Sequence, residues 1–184
     1  MSGRFWVCVF CGAKAGTSPR FAEAAARFGA RLAARGLGLV YGGGQVGLMG
    51  VVAEAALAGG APVTGVLPKA LATVELAHPR LTELVLTEGL HARKARMASQ
   101  ANAFVALPGG FGTLDELFEV LTWQQLGLHQ KPIGLLDVDG YFTPLVHFLD
   151  HASETGFLAP RERARLHLAA DPDALLDQVL LPVA

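Results

Sequence analysis

Short, almost wholly apolar runs alternate along this chain with longer stretches whose apolar residues recur at helical spacing. No other property restricts the fold as much. The apolar runs cover residues 4–10, 37–41, 62–67, 82–87, 103–107 and 132–137, with a shorter one at 165–169. Strands apolar along their whole length are those covered on both faces, as in parallel sheets. Between them, Ser18-Pro19 offers an N-cap followed by proline at the first helical position. Phe21, Ala24, Ala25, Phe28 and Leu32 then repeat at helical intervals until Arg35-Gly36. Segments 46–58, 89–101, 113–126 and 142–154 behave alike, and Asp171-Pro172 opens a closing helix with Leu175, Leu176 and Val179 on its apolar side. Such alternation implies right-handed crossovers and an α/β, doubly wound parallel sheet with helices on both faces. No linker or internal repeat divides it, so residues 1–184 are expected to form one domain.

At 52% hydrophobic and 17% charged, the sequence is not that of a disordered chain. Its net charge of −1, without a run of five like charges, excludes a protein that finds nucleic acid or a membrane surface through a basic field. Arg4, the apolar residues 5–11 and Ala13-Lys14-Ala15 loosely imitate a signal peptide. The apolar stretch is short, and its Phe, Trp, Val and Cys residues favour a first strand, so a cytoplasmic location is expected. Cys8 and Cys11 are spaced as in redox pairs and half zinc sites. In a strand, residues three apart point to opposite faces, so a strand end is the simpler assignment, and no second pair exists to complete a zinc site.

Ligands of doubly wound sheets bind beyond the carboxyl ends of the strands, so function should be sought in the loops that leave strands and enter helices. Gly is 22 of 184 residues, in excess of the usual ~7%, and two such loops hold much of the excess. In the first, Gly42, Gly44 and Gly47 spell G-x-G-x-x-G. A dinucleotide site also needs an acid about 20 residues on, and Leu67-Pro68-Lys69-Ala70-Leu71 supplies none before Glu75. A Walker loop is excluded because no Gly-Lys-Ser/Thr follows. The second loop, Pro108-Gly109-Gly110-Phe111-Gly112-Thr113, can converge backbone N–H groups and a helix dipole on an anion. Two such loops point to a phosphorylated ligand, with tight helix–sheet packing as the alternative.

Glu116 stands three residues after Thr113 and could complete a capping box. Equally, a carboxylate in the first turn lies about one helical pitch, ~5.4 Å, from an anion at the helix tip. That is on the scale separating a nucleotide's phosphate from its anomeric carbon. Asp115 and Glu119 add charge nearby, more in keeping with a solvated face than a metal site. Upstream, Arg93, Lys94 and Arg96 oppose the dipole of the helix they begin. That local cost points to anionic partners, either a substrate phosphate or the carboxylates after Thr113; an exposed basic face is the alternative. His91 reads as a polar cap or supporting group.

Arg93-Lys94-x-x-Met97 followed by Pro108-Gly109-Gly110-x-Gly112-Thr113-x-x-Glu116 resembles the Lonely Guy family, whose paired signatures are R-K-x-x-M and P-G-G-x-G-T-x-x-E. The resemblance extends to Cys11-Gly12, to residues 41–50 (YGGGQVGLMG), to residues 122–127 and to residues 131–141 (KPIGLLDVDGY). It implies a Rossmann-like nucleotide-binding domain, usually dimeric, with partner residues lining each site. It also implies a phosphoribohydrolase that cleaves the N-glycosidic bond of AMP or cytokinin riboside 5′-monophosphates, releasing base and ribose 5-phosphate without metal or cofactor. By the same resemblance Arg93 and Glu116 are the catalytic pair. Gly43, Gly44, Gly110, Gly112 and Thr113 hold phosphate and ribose, with Pro108 and Gly109 of the same loop, and Lys94 and Met97 line the substrate side. Phe111, where many members carry Tyr, and Leu90, where Met is common, bear on base preference. The label lysine decarboxylase, also given to such proteins, finds no support: the chain is short for a pyridoxal enzyme and offers no anchor for that cofactor. Two other classes stay in view, a molybdopterin-cofactor carrier of similar fold, which would do no chemistry, and a nicotinamide oxidoreductase.

Overall fold

The computed structural model describes residues 3–72 and 77–181. Seven strands form one sheet: β1 (Trp6–Phe10), β2 (Gly38–Tyr41), β3 (Val63–Pro68), β4 (Glu83–Thr87), β5 (Ala103–Ala106), β6 (Ile133–Leu136) and β7 (Leu166–Ala169). Their spatial order is β4-β3-β2-β1-β5-β6-β7, and every pairing is parallel. The chain therefore starts in the middle, winds outward to β4, returns beside β1 and winds outward the other way. Because right-handed crossovers change face when the winding reverses, helices cover both sides.

Helices α1 (Pro19–Ala34) and α2 (Gly47–Ala58) lie on one face with the closing α7 (Pro172–Leu180). There Phe28, Leu32, Val52 and Leu175 pack with Val7, Val9 and Leu39 of the sheet. On the other face lie α3 (Leu90–Gln100), α4 (Phe111–Gln125) and α5 (Thr143–Glu154), whose Met97, Leu117 and Leu149 share a core with Cys8, Phe10 and Phe104. The alternation along β1 thus feeds two separate cores. Cys8 and Cys11, both free thiols, fall in different ones. Arg27, Arg31 and Arg35 along α1 pair with Asp171, Asp173 and Asp177 and clip α7 to it.

All seven expected strands and the six expected helices form, each within about two residues of the expected ends. A one-turn α6 (Pro160–Arg163) and single 3₁₀ turns at Lys69–Leu71 and Val138–Gly140 carry too little periodicity to be read from sequence. One boundary matters for function. Helix α4 starts at Phe111 with Gly110 as its N-cap, not at Thr113, and no side chain caps it. The capping box of Thr113 and Glu116 therefore does not exist. Among the described residues no helix is long and apolar enough to cross a membrane.

Between β1 and β5, where the strand order reverses, the loops leaving the two strands touch. The Gly12 N–H donates to the Pro108 carbonyl at 3.0 Å. A Cβ on Gly109 would stand 2.8 Å from the Gly12 nitrogen and 2.0 Å from Thr113 Oγ1, so only glycine permits the contact. This is the crevice where such sheets bind ligands.

Candidate active site

A cavity of about 530 Å³ opens at that crevice. Its walls are residues 11–16 after β1, Phe21 of α1, Leu48 and Met49 of α2, Leu71, Leu90 and Arg93 of α3, Tyr141, and Pro108, Gly109, Gly110, Gly112, Thr113 and Glu116 along the second glycine loop and α4. At its base, Arg93 Nη1 donates to Glu116 Oε1 at 2.7 Å and Arg93 Nε donates to the Val66 carbonyl at 3.0 Å. Two directed bonds on a planar guanidinium fix its plane. The side chains of Arg93 and Glu116 are only 14% and 10% exposed.

Burial pushes the Glu116 carboxyl up to about 7, although Arg93 and Lys94 pull the other way. The loss of hydration outweighs one well-placed cation, as it does where carboxylates serve in proton transfer. A group near neutrality can hold or release a proton at working pH.

The open end of α4 completes the chemistry. The first-turn N–H groups of a helix have no intrahelical acceptors. Here Gly110, Gly112 and Thr113 face the cavity, and a Cβ at Gly110 or Gly112 would meet nothing within 4 Å. Thr113 itself is 3% exposed. An anion fits this positive end of the helix dipole.

The first glycine loop has a different part. A Cβ on Gly42 would stand 2.2 Å from Arg93 Nη2, so this glycine makes room for the arginine. Gly43, at φ +80°, accepts a hydrogen bond from the His78 N–H, and Gly44 bridges Ala77. Neither Gly43 nor Gly44 lines the cavity. Where a dinucleotide site would hold its ribose acid, Leu67 and Pro68 end β3 and Lys69–Leu71 form the 3₁₀ turn, with no acid among them; Glu75 lies outside the described residues.

Two further placements depart from expectation. Met97 is 1% exposed in the core under α3, because its position on the helix faces the sheet. Lys94 points along α4 to Asp115 and Glu119, at 3.0 and 3.2 Å. The basic start of α3 is thus offset by three carboxylates of α4, Glu116 included. His91 is exposed. Leu90 lines the cavity, whereas Phe111, 93% exposed, belongs to a groove on the outer side of α4 with Leu114, Phe118 and Trp123. Sequence reasoning missed Tyr141 and the loop after β1. The rule that loops meet where the winding reverses would have found the latter. Among the described residues no group of three or more His, Cys, Asp or Glu side chains could hold a metal ion.

Residues 49–179 match a family model described as "Possible lysine decarboxylase". A cytokinin riboside 5′-monophosphate phosphoribohydrolase of Arabidopsis thaliana is 49% identical over 173 residues, 94% of this chain and 80% of that one. One of Oryza sativa subsp. japonica is 48% identical over 168 residues, 91% of this chain and 69% of that one. The chain belongs to the Lonely Guy family. Solved structures extend the fold beyond that family. The molybdenum cofactor carrier protein of Chlamydomonas reinhardtii superposes with a TM-score of 0.74 at 25% identity, covering 97% of this chain and 99% of that one. The molybdenum cofactor binding protein of Rippkaea orientalis gives 0.73 at 20% identity, covering 98% and 100%, a likeness of fold alone.

Proposed function

We propose that this protein is a phosphoribohydrolase that cleaves the N-glycosidic bond of AMP or cytokinin riboside 5′-monophosphates to free base and ribose 5-phosphate. The observation that carries the reading is the buried Arg93–Glu116 pair, which shares a cavity with the open N-terminus of α4 and stands one helical turn beyond Thr113 of that helix's first turn. Its relatives bear that activity in their names.

The geometry supports the following course of reaction. The 5′-phosphate seats on the N–H groups at Gly110, Gly112 and Thr113, where the dipole favours it. Glu116, about one turn beyond Thr113 along the helix, then faces the anomeric carbon. As the bond to the base nitrogen breaks, positive charge grows on the sugar, and the carboxylate stabilises it or takes a proton from the attacking water. Arg93, held by Val66 and walled by Gly42, keeps Glu116 in place and stays charged throughout. Water supplies the hydroxyl of ribose 5-phosphate, and a proton goes to the departing base. Phe21, Leu48, Met49 and Leu90 give the base an apolar wall.

Residues 1–184 act here as one nucleotide-binding domain. The working unit is a homodimer, a reading supported by Phe111, Phe118, Leu126 and Leu128, all exposed on α4 and just beyond it. Apolar residues of this size gathered on one helix fit an interface better than open solvent. The two free thiols fit a reducing, cytoplasmic setting.

The test is release of adenine from AMP compared with adenosine at saturating enzyme. A phosphate held far from the reacting bond supplies orientation, so AMP should be turned over and adenosine barely. Equal rates would remove the phosphate site from α4. Retention of molybdopterin without any adenine release would instead favour a carrier.

A further inference from the structure

The turn between β6 and α5 is built with more care than a connection needs. The Asp137 carboxylate accepts the Phe142 N–H at 2.6 Å and the Thr143 hydroxyl at 2.9 Å. Asp139 follows at φ +51°, the one non-glycine residue at positive φ among those described, and Gly140 continues at +74°. Backbone of this hand is costly for a residue with a Cβ and persists where its surroundings hold it. Arg20 of α1 supplies one such hold, at 2.9 Å from Asp139.

The turn delivers Tyr141 to the cavity. Its ring meets Phe21 edge-on with centroids 5.8 Å apart, and Phe142 at 5.1 Å. Its hydroxyl donates to the Gly109 carbonyl at 2.5 Å. That carbonyl belongs to the Gly109–Gly110 peptide, which lies between two residues without side chains and so is the peptide of this loop freest to rotate. Rotated, it would present its oxygen to an anion at the helix tip and repel it. With the oxygen held by Tyr141, the N–H of the same planar trans unit points the opposite way. The Gly110 N–H has no backbone acceptor among the described residues.

We infer that Tyr141 is a positioning residue for the phosphate site, which it serves by locking the Gly109–Gly110 peptide so that the Gly110 N–H joins the first-turn donors of α4. Tyr141 thereby deepens the nucleotide monophosphate reading above, on which this role rests.

Tyr141→Phe keeps the ring and removes only the lock. Calorimetry with ribose 5-phosphate should show binding weakened by roughly three- to tenfold, the worth of about one hydrogen bond. KM for AMP should rise by the same factor. Inhibition by adenine, which does not reach the loop, should be unchanged, and the melting temperature should stay within a few degrees. Unchanged ribose 5-phosphate affinity would overturn the role. So would equal weakening toward ribose 5-phosphate and adenine, which would make Tyr141 a mere wall, or a wild-type chain that does not bind ribose 5-phosphate. A wild-type chain that binds ribose 5-phosphate but releases no adenine from AMP would overturn the hydrolase reading, and the calorimetric comparison would still decide Tyr141.

Discussion

Gly42 and Arg93 lie so close that a Cβ on the glycine would stand 2.2 Å from the guanidinium Nη2. The arginine cannot simply swing aside, because its other nitrogens are bonded to Val66 and Glu116. Gly42→Ala should therefore leave the sheet intact and displace Arg93, the arginine proposed to hold Glu116 for catalysis. Misplacement on the scale of an ångström costs on the order of 10²-fold in rate. Steady-state kinetics beside circular dichroism checks this, and an Ala variant with normal turnover would show that Arg93 tolerates displacement.

Arg93→Lys tests the need for a planar, two-sided donor. A lysine ammonium has no rigid fork with which to hold the Val66 carbonyl and Glu116 in one plane. Most of the activity should be lost with the fold retained. Near-normal turnover would mean that Arg93 serves as charge alone.

Glu116→Gln removes the carboxylate charge while keeping an oxygen for Arg93. Since α4 is capped at Gly110, no helix cap is at stake. Turnover should fall by roughly 10²–10⁴ with little change in melting near pH 5. Turnover within a factor of about three of wild type, well below that range, would place the chemistry elsewhere.

The same carboxyl sets two pH dependences of opposite sense. Its folded value lies at about 7 against 4.5 for the free group, so the folded chain binds the extra proton in between. The stability this contributes is full below about 4.5 and is lost as pH rises through about 7. The stability of Glu116→Gln relative to wild type should therefore grow across that window, by roughly 3 kcal/mol at most. The proposed mechanism uses the ionised form, so kcat/KM should rise with pH up to about 7 and then level off. Denaturant melts at several pH values and a pH–rate profile read the two; a rate that falls from pH 5 to 7 would rule out the carboxylate as the working form.

Sedimentation at micromolar concentration should give about twice 19.3 kDa. Phe118→Asp, on the outer face of α4, should shift the species toward the monomer. An undisturbed dimer in that variant would move the interface away from α4.

The strands and the sheet class were legible because burial on both faces leaves a continuous apolar signature at Val7–Phe10 and Ala103–Leu107 alike. That Arg93 and Glu116 belong to one site was expected from the resemblance of their two motifs to the family's paired signatures, and their ion pair brings them together; their local pattern alone read equally as a basic face and a capping box. What local pattern could not convey was which partner each residue meets. Met97 reads equally as a wall or as core until the face of α3 turned to the sheet is known. The glycines at 42 to 44 look like a phosphate cradle, yet Gly42 answers to an arginine 51 positions later in the chain. The start of α4 was misplaced because no side chain announces a helix whose cap is Gly110.

The ion pair of Arg93 and Glu116 also divides what selection can do with this fold. Two charges shut away from water are a poor investment for a folded chain, and well-packed apolar replacements of similar volume often raise stability by about 1–4 kcal/mol. A lineage propagated for heat resistance alone would discard both residues together and keep its seven strands. A lineage held to turnover would keep the pair and gain its heat resistance elsewhere, along the arginine–aspartate seam that joins α1 to α7.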